Sequence, residues 1–211
     1  MLNAEVLTFR EFVMNEPLPL SKIQGAILEF LQGRKDIVLF GAQAVNAYVS
    51  EPRATQDVDI LSNRTAALAD ELCRELSERF HITVRVREAS GGKGLRLYQI
   101  RKDGNRHLAD IRSQNEFPAV SVIENINVLT PIELILSKIF SYESRRGKPK
   151  SGTDWRDLAV LLNRFPDLKT PNGEIARELK ARNASEFAMN FWNDLVETDL
   201  SIEDEDDDLN F

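Results

Sequence analysis

Gln56-Asp57-Val58-Asp59-Ile60-Leu61 sets two aspartates one residue apart within an apolar and polar alternation, the pattern of a half-buried strand. Side chains two apart share a face, so Asp57 and Asp59 point one way while Val58 and Ile60 point into the core. Two carboxylates on one rigid face suit a hard divalent cation, Mg2+ or Mn2+, that keeps some waters and takes its other ligands from phosphate oxygens. A bare Asp-x-Asp also occurs as the solvated face of an ordinary strand, so the neighbouring sequence decides.

Upstream, residues 36–40 read as a short buried strand, Gly41 turns the chain into a helix over 42–49, and Glu51-Pro52 ends it. The strand, glycine and helix start bring backbone N–H groups to one point, a place suited to phosphate. If the short helix folds the chain back, the strand at 57–61 lies beside the strand at 36–40. Further on, Leu108-Ala109-Asp110-Ile111 puts one aspartate inside an apolar run. A buried carboxylate is costly unless it is paired or bound to metal, which makes Asp110 the natural third ligand.

The rest of the chain supplies a frame for these residues. Ser21 can cap a helix reaching Gly33, with Ile23, Ala26, Ile27, Phe30 and Leu31 as its apolar stripe, and a longer helix spans 65–80. Strands are expected at 81–87, 95–101 and 107–112, separated by Gly91-Gly92 and Asp103-Gly104 turns. Gly91-Gly92-Lys93-Gly94 lacks the spacing of a phosphate-binding loop and reads as a hairpin turn. After Val128 the pattern becomes helical. Thr130-Pro131-Ile132-Glu133 opens a helix to about Arg146, the basic loop 145–152 follows, and a helix over 154–163 precedes two more. The fold class is thus α/β (α+β): a mixed β-sheet flanked by helices over 1–128, a helical subdomain over 129–196 and an acidic tail over 197–211.

Composition excludes several alternatives. A 42% hydrophobic and 29% charged chain of 211 residues is an ordinary globular protein with enough length for a real core. Its single Cys73 forms no internal disulfide and reads as a small core residue, and His81 and His107 are too few and too isolated for a zinc site. No apolar run is long enough to span a bilayer, and Glu5, Glu11 and Glu16 are wrong for a signal peptide, so no membrane partner and a cytoplasmic location are expected. The net charge of -7 comes from the tail: 197–211 carries eight acids and no base, leaving a body near +1. Such a block repels itself and is expected to be disordered. The loop residues Arg145, Arg146, Lys148 and Lys150 form a positive cluster suited to steering a phosphate.

At Gly41-Ala42, Asp57-Val58-Asp59 and Asp110 the chain resembles the nucleotidyltransferase superfamily, the group of DNA polymerase beta, the aminoglycoside and lincosamide adenylyltransferases and the toxin-antitoxin nucleotidyltransferases. The longer string from Gly41-Ala42-Gln43-Ala44 to Arg53-Ala54-Thr55-Gln56-Asp57-Val58-Asp59 is most similar to the branch near the AbiEii-type toxins, where Arg-x-Thr precedes the Asp pair. Ala42 departs from the second glycine or serine of the family, although backbone N–H groups survive any side chain. The resemblance implies an NTP substrate, with Mg2+ or Mn2+ held by Asp57, Asp59 and Asp110. It places Gly41 and Ala42 at the phosphates and gives Arg53 and Thr55 a supporting role beside the nucleotide and carboxylates. It also implies a helical lysine and a helical aspartate that complete the site. Lys138 in Glu133-Leu134-Ile135-Leu136-Ser137-Lys138 and Asp157 in Asp154-Trp155-Arg156-Asp157-Leu158 match these, with Asp154 competing for the second role. Helical spacing sets Lys138 with Leu134 and Tyr142, off the stripe of Ile132, Ile135, Leu136, Ile139 and Phe140, and free to reach a triphosphate.

The implied reaction transfers an NMP to a hydroxyl of a tRNA end, a protein or a small molecule, in a toxin-antitoxin or phage-defence setting with a cognate antitoxin or other partner protein. Its rival is an inactive module of the same fold that binds a partner protein, a reading encouraged by Ala42 and the acidic tail.

Overall fold

The computed structural model describes residues 2, 9–13, 16–50, 52–89, 91, 92 and 94–200. The chain forms two compact units, Met1–Leu134 and Ile135–Phe211.

The first unit is built on a mixed seven-stranded sheet. In chain order its elements are α1 (Phe9–Val13), α2 (Leu20–Leu31), β1 (Ile37–Phe40), α3 (Gly41–Asn46), β2 (Val58–Ser62), α4 (Thr65–Phe80), β3 (Val84–Glu88), β4 (Gly94–Gln99), β5 (Arg106–Ser113), β6 (Val120–Ile123) and β7 (Ile126–Leu129). The strand order is β3-β4-β5-β2-β1-β7-β6. As the sequence suggests, the short α3 folds the chain back so that β2 lies antiparallel beside β1. β2 then runs parallel to β5, and β1 parallel to β7. All four residues of β1 are buried, as a central strand covered on both faces requires. β2 alternates buried Val58, Ile60 and Ser62 with less buried Asp59 and Leu61, the half-buried strand read from its pattern.

The helix expected over 65–80 is α4, with Leu68, Leu72 and Leu76 fully buried on one face. Cys73 is only partly buried, its thiol reaching the Val84 carbonyl at 3.4 Å. Other boundaries differ for local reasons. Pro19, not Ser21, sits at the start of α2, because its fixed φ of -61° holds the chain extended up to the helix. Ser21 is buried one residue inside the helix, and the Glu11 carboxylate takes the Leu20 N–H at 2.7 Å in the role given to a cap. β3 begins at Val84 rather than at residue 81, since His81 adopts φ +52° as the left-handed end of α4. Gly91 and Gly92 lie in the β3–β4 hairpin turn; Lys93 lies outside the described residues. The β6–β7 hairpin turns at Glu124 and Asn125, both at positive φ.

α5 (Pro131–Ser144) crosses the division between the units. The Thr130 hydroxyl accepts from the Glu133 N–H at 3.4 Å, the long capping contact expected at this opening. The second unit continues with α6 (Lys150–Arg164), α7 (Glu174–Ala181) and α8 (Glu186–Glu197). α6 starts four residues before the expected position. Its core includes Leu158, Leu161, Ile175, Leu179, Trp192 and Leu195. The first residues of the expected disordered tail belong to this unit: Glu197 ends α8, and buried Leu200 gives its carbonyl to the Asn163 amide. Residues 201–211 lie outside the described residues. Among the described residues, no helix is long and apolar enough to cross a membrane.

Candidate active site

β1 ends at Phe40, and Gly41 starts α3 with φ +72°, a conformation that favours glycine. A second constraint excludes a side chain there. A Cβ at residue 41 would stand 1.9 Å from Oδ2 of Asp59 and 2.6 Å from its Cγ. The glycine therefore makes room for a carboxylate of β2, besides leaving its own backbone open. The registers Phe40↔Asp59, Asp59↔Asp110 and Arg96↔Asp110 set these residues in one row across β1, β2, β5 and β4. Asp57 directly precedes β2. The first unit thus gathers Gly41, Asp57, Asp59 and Asp110, with Ala42 as the second residue of α3.

His107, dismissed by its isolation in the sequence, lies inside this group. Its Nδ1 is 3.1 Å from Asp57 Oδ2, and its Nε2 is 3.0 Å from Asp110 Oδ1. Strict alternation along β5 would put residues 107 and 110 on opposite faces. A bulge prevents this: Leu97 pairs with Ala109 and Tyr98 with His107, so Leu108 is an extra residue. Leu108 and Ala109 are consecutively buried, and His107 emerges on the face of Asp110. The imidazole stacks on Tyr98 at 4.9 Å between centroids, and the Arg87 guanidinium lies 5.7 Å from the Tyr98 ring.

Burial opposes a charge on His107, but hydrogen bonds to Asp110 and Asp57, and their charges, outweigh it and raise its pKa to about 10. The protonated ring donates from both nitrogens, one to each carboxylate. Burial also favours a neutral Asp110, yet the His107 hydrogen bond and the charges of His107, Arg96 and Arg112 hold its pKa below the usual carboxylate value. Arg96 Nε is 3.0 Å from Asp110 Oδ1, an ion pair at an angle that leaves the N–H short of a proper hydrogen bond. Ligand atoms of Asp57, His107 and Asp110 all lie within 4.8 Å of one another, and Asp59 is directly in register beside Asp110. This donor set fits a divalent cation: oxygens of Asp57 and Asp110 with a ring nitrogen of His107 at hand, and Asp59 in the neighbouring register position.

The loop leading to Asp57 is pinned from beneath. Asn46 takes the Arg53 N–H at 3.1 Å and donates to the Arg53 carbonyl at 2.8 Å. The buried Thr55 hydroxyl donates to Gln43 at 2.7 Å and accepts from Gln24 at 3.0 Å. Thr55 thus spends its hydroxyl on tying α2, α3 and the loop together, and the Arg53 guanidinium donates to the Ala54 carbonyl.

In the second unit, Lys138 and Asp157 meet each other. Lys138 Nζ is 2.6 Å from Asp157 Oδ2 and 3.6 Å from Asp154 Oδ1, while Arg145 holds both oxygens of Asp154 at 3.0 and 2.8 Å. The lysine expected on an open helix face is buried, with 9% of its side chain exposed; Asp157 is fully buried. α5 buries Leu134, Ile135, Leu136 and Ile139 completely, so it has no open face at that level. Of the expected basic cluster, Arg145 is engaged by Asp154 and Arg146 lies over the Phe187 ring at 4.9 Å, whereas Lys148 and Lys150 are exposed.

No family model matches the sequence, and no curated protein matches it. Solved structures do share the architecture. The Megavirus polyadenylate synthase superposes with a TM-score of 0.60 at 14% identity, over 82% of this chain and 40% of that one. JHP933 from Helicobacter pylori gives 0.53 at 13% identity, over 90% and 92%. ANT(2")-Ia in complex with adenylyl-2"-tobramycin gives 0.50 at 13% identity, over 84% and 100%. The chain spans 40% of the length of the viral synthase. At these identities the likeness is one of fold.

Proposed function

We propose that this chain is a metal-dependent nucleotidyltransferase that moves an NMP from an NTP to a hydroxyl and releases pyrophosphate. The observation that carries the reading is the registered pair Asp59 and Asp110 on adjacent parallel strands, beside a glycine that no larger residue can replace without striking Asp59.

Asp57, Asp59 and Asp110 would hold Mg2+ or Mn2+. When bound, the ion would neutralise triphosphate charge and favour an in-line displacement. Asp110 would accept a hydrogen bond from the acceptor hydroxyl and help take its proton. Gly41 and Ala42 offer backbone N–H groups to phosphate, and the pinned Arg53-to-Thr55 loop fixes the approach of Asp57 to the strand. Lys138 and Asp157, which the resemblance takes to complete the site, are paired with each other in the second unit at 2.6 Å.

For the acceptor, a tRNA end is preferred, in keeping with the resemblance to AbiEii-type toxins, and a cognate antitoxin would be the protein partner. A small-molecule acceptor is the second reading, favoured by the likeness to ANT(2")-Ia, whose structure contains adenylyl-2"-tobramycin. The test is incubation with each labelled NTP, Mg2+ or Mn2+, and total cell RNA, protein or small-molecule extract. Label transferred by the wild type and not by Asp59→Asn supports the proposal, and the labelled fraction identifies the acceptor class. No label from any NTP sinks it in favour of an inactive partner-binding module.

A further inference from the structure

We infer that His107 is a metal ligand, which makes the site a mixed oxygen and nitrogen site that selects a first-row transition ion over Mg2+. The inference rests on the metal-dependent reading above and adds to it a ligand and a choice of ion.

Three features place the ring where a ligand belongs. The β5 bulge at Leu108 turns His107 onto the face of Asp110, the sort of local irregularity by which a strand re-aims one side chain. Tyr98 covers the ring at 4.9 Å with 24° between the planes, which limits its rotation. Its nitrogens stand 3.1 and 3.0 Å from oxygens of Asp57 and Asp110, two of the three carboxylates assigned to the ion. An imidazole so close to both carboxylates can turn one nitrogen to an ion that they bind. The stack and the bulge hold it in place.

The chemistry then favours one kind of ion. Mg2+ takes oxygen ligands almost alone and demands near-ideal octahedral geometry, so a nitrogen in its first shell gains it little. First-row transition ions accept imidazole and carboxylate together. One ring N–H proton passes to solvent when that nitrogen ligates.

Mn2+ is the probe, added to the full chain without nucleotide so that His107 and His81 are the histidine nitrogens available. Pulsed electron paramagnetic resonance should show 14N coupling to bound Mn2+ that becomes a 15N pattern in protein grown on 15N-histidine. The coupling should persist in His81→Gln and vanish in His107→Gln. In competition titrations the wild type should prefer Mn2+ to Mg2+ by about tenfold or more, and His107→Gln should lose most of that preference. Bound Mn2+ without nitrogen coupling in the wild type overturns the ligand assignment and leaves the metal-dependent reading intact. Failure of the wild type to bind Mn2+ at all, with or without ATP, overturns both.

Discussion

The Asp59 carboxylate occupies the space into which a side chain at Gly41 would project, with Oδ2 1.9 Å from the position of a Cβ. The strand-to-helix turn and the second aspartate of the pair are therefore one steric unit. Gly41→Ala must push Asp59 out of register with Asp110 or distort the turn at φ +72°. Gly147 provides an internal control: its φ is +74°, but nothing lies within 4 Å of its Cβ position. Both alanine variants should lose about 1–2 kcal/mol for the left-handed conformation. Only Gly41→Ala should lose NMP transfer as well, by at least about tenfold, because it alone displaces a carboxylate. Urea unfolding and the transfer assay measure the two effects, and equal transfer by both variants would refute the steric coupling.

The aspartates should differ in what their removal does to stability. Asp57→Asn and Asp110→Asn should each abolish metal-dependent transfer, since each removes a proposed ligand. Asp110 also accepts from His107 and faces Arg96, with 13% of its side chain exposed. Asp110→Asn should therefore cost about 1–3 kcal/mol of unfolding free energy in the metal-free protein, the range for a hydrogen bond to a charged partner. Asp57, more exposed and paired with the other side of the imidazole, should cost less. Denaturant unfolding in chelator is the measurement. A larger loss at Asp57 than at Asp110 would show that the cluster is held from the loop rather than from β5.

Which parts of this site were legible in the sequence follows from how its elements obey or break a period. β1, Gly41 and β2 follow simple rules: a continuous apolar run, a glycine, and a period-two alternation that puts Val58 and Ile60 inside. Asp110 stood out because a charge interrupted an apolar strand. His107 was hidden because the bulge shifts the phase of β5, and a strict alternation sends it to the wrong face. The β6–β7 hairpin was hidden for a different reason: its turn uses Glu124 and Asn125 at positive φ, without the glycine that normally announces such a turn. Lys138 was misplaced because a stripe was drawn on a helix that is buried over more of its circumference. Leu134, Ile135 and Leu136 are consecutive and all fully buried, which leaves a lysine at this level inside with its partner.

That burial changes what a lysine variant reports. In Lys138→Ala the fully buried Asp157 loses an ammonium at 2.6 Å, a change that costs about 3–5 kcal/mol where a buried pair is broken by removing one member. Removing both charges together, as in Lys138→Met with Asp157→Leu, should recover most of that loss, while Asp154 keeps Arg145. A double-mutant cycle in urea checks this. If the double variant is as unstable as Lys138→Ala, packing around the helix rather than the buried charge of Asp157, which also lies 3.7 Å from Arg156, sets the cost. Transfer by Lys138→Ala should be assayed at a temperature where it is folded, so that a loss of activity is not confused with lost structure.

The pH dependence of stability should carry a signature from the far end of β1. Asp36 directly precedes that strand and receives Arg34 on both oxygens, at 3.0 and 2.7 Å, and Arg64 at 3.2 Å. The Arg34 hydrogen bonds hold its pKa below the ordinary carboxylate value, against the opposing effect of burial, and the charges of both arginines add to the depression. A carboxyl whose folded pKa lies below its unfolded value binds protons more readily when unfolded. Its contribution to stability is therefore complete above the unfolded pKa of about 3.9 and is lost as the pH falls through the folded value. Wild-type protein should lose stability between pH 5 and pH 3 more steeply than Asp36→Asn, which has no such carboxyl to protonate, while above pH 5 the difference between them should be constant. Unfolding midpoints collected across that range decide the matter: parallel curves for the two proteins below pH 4 would mean that Asp36 is no better paired in the folded chain than in the unfolded one.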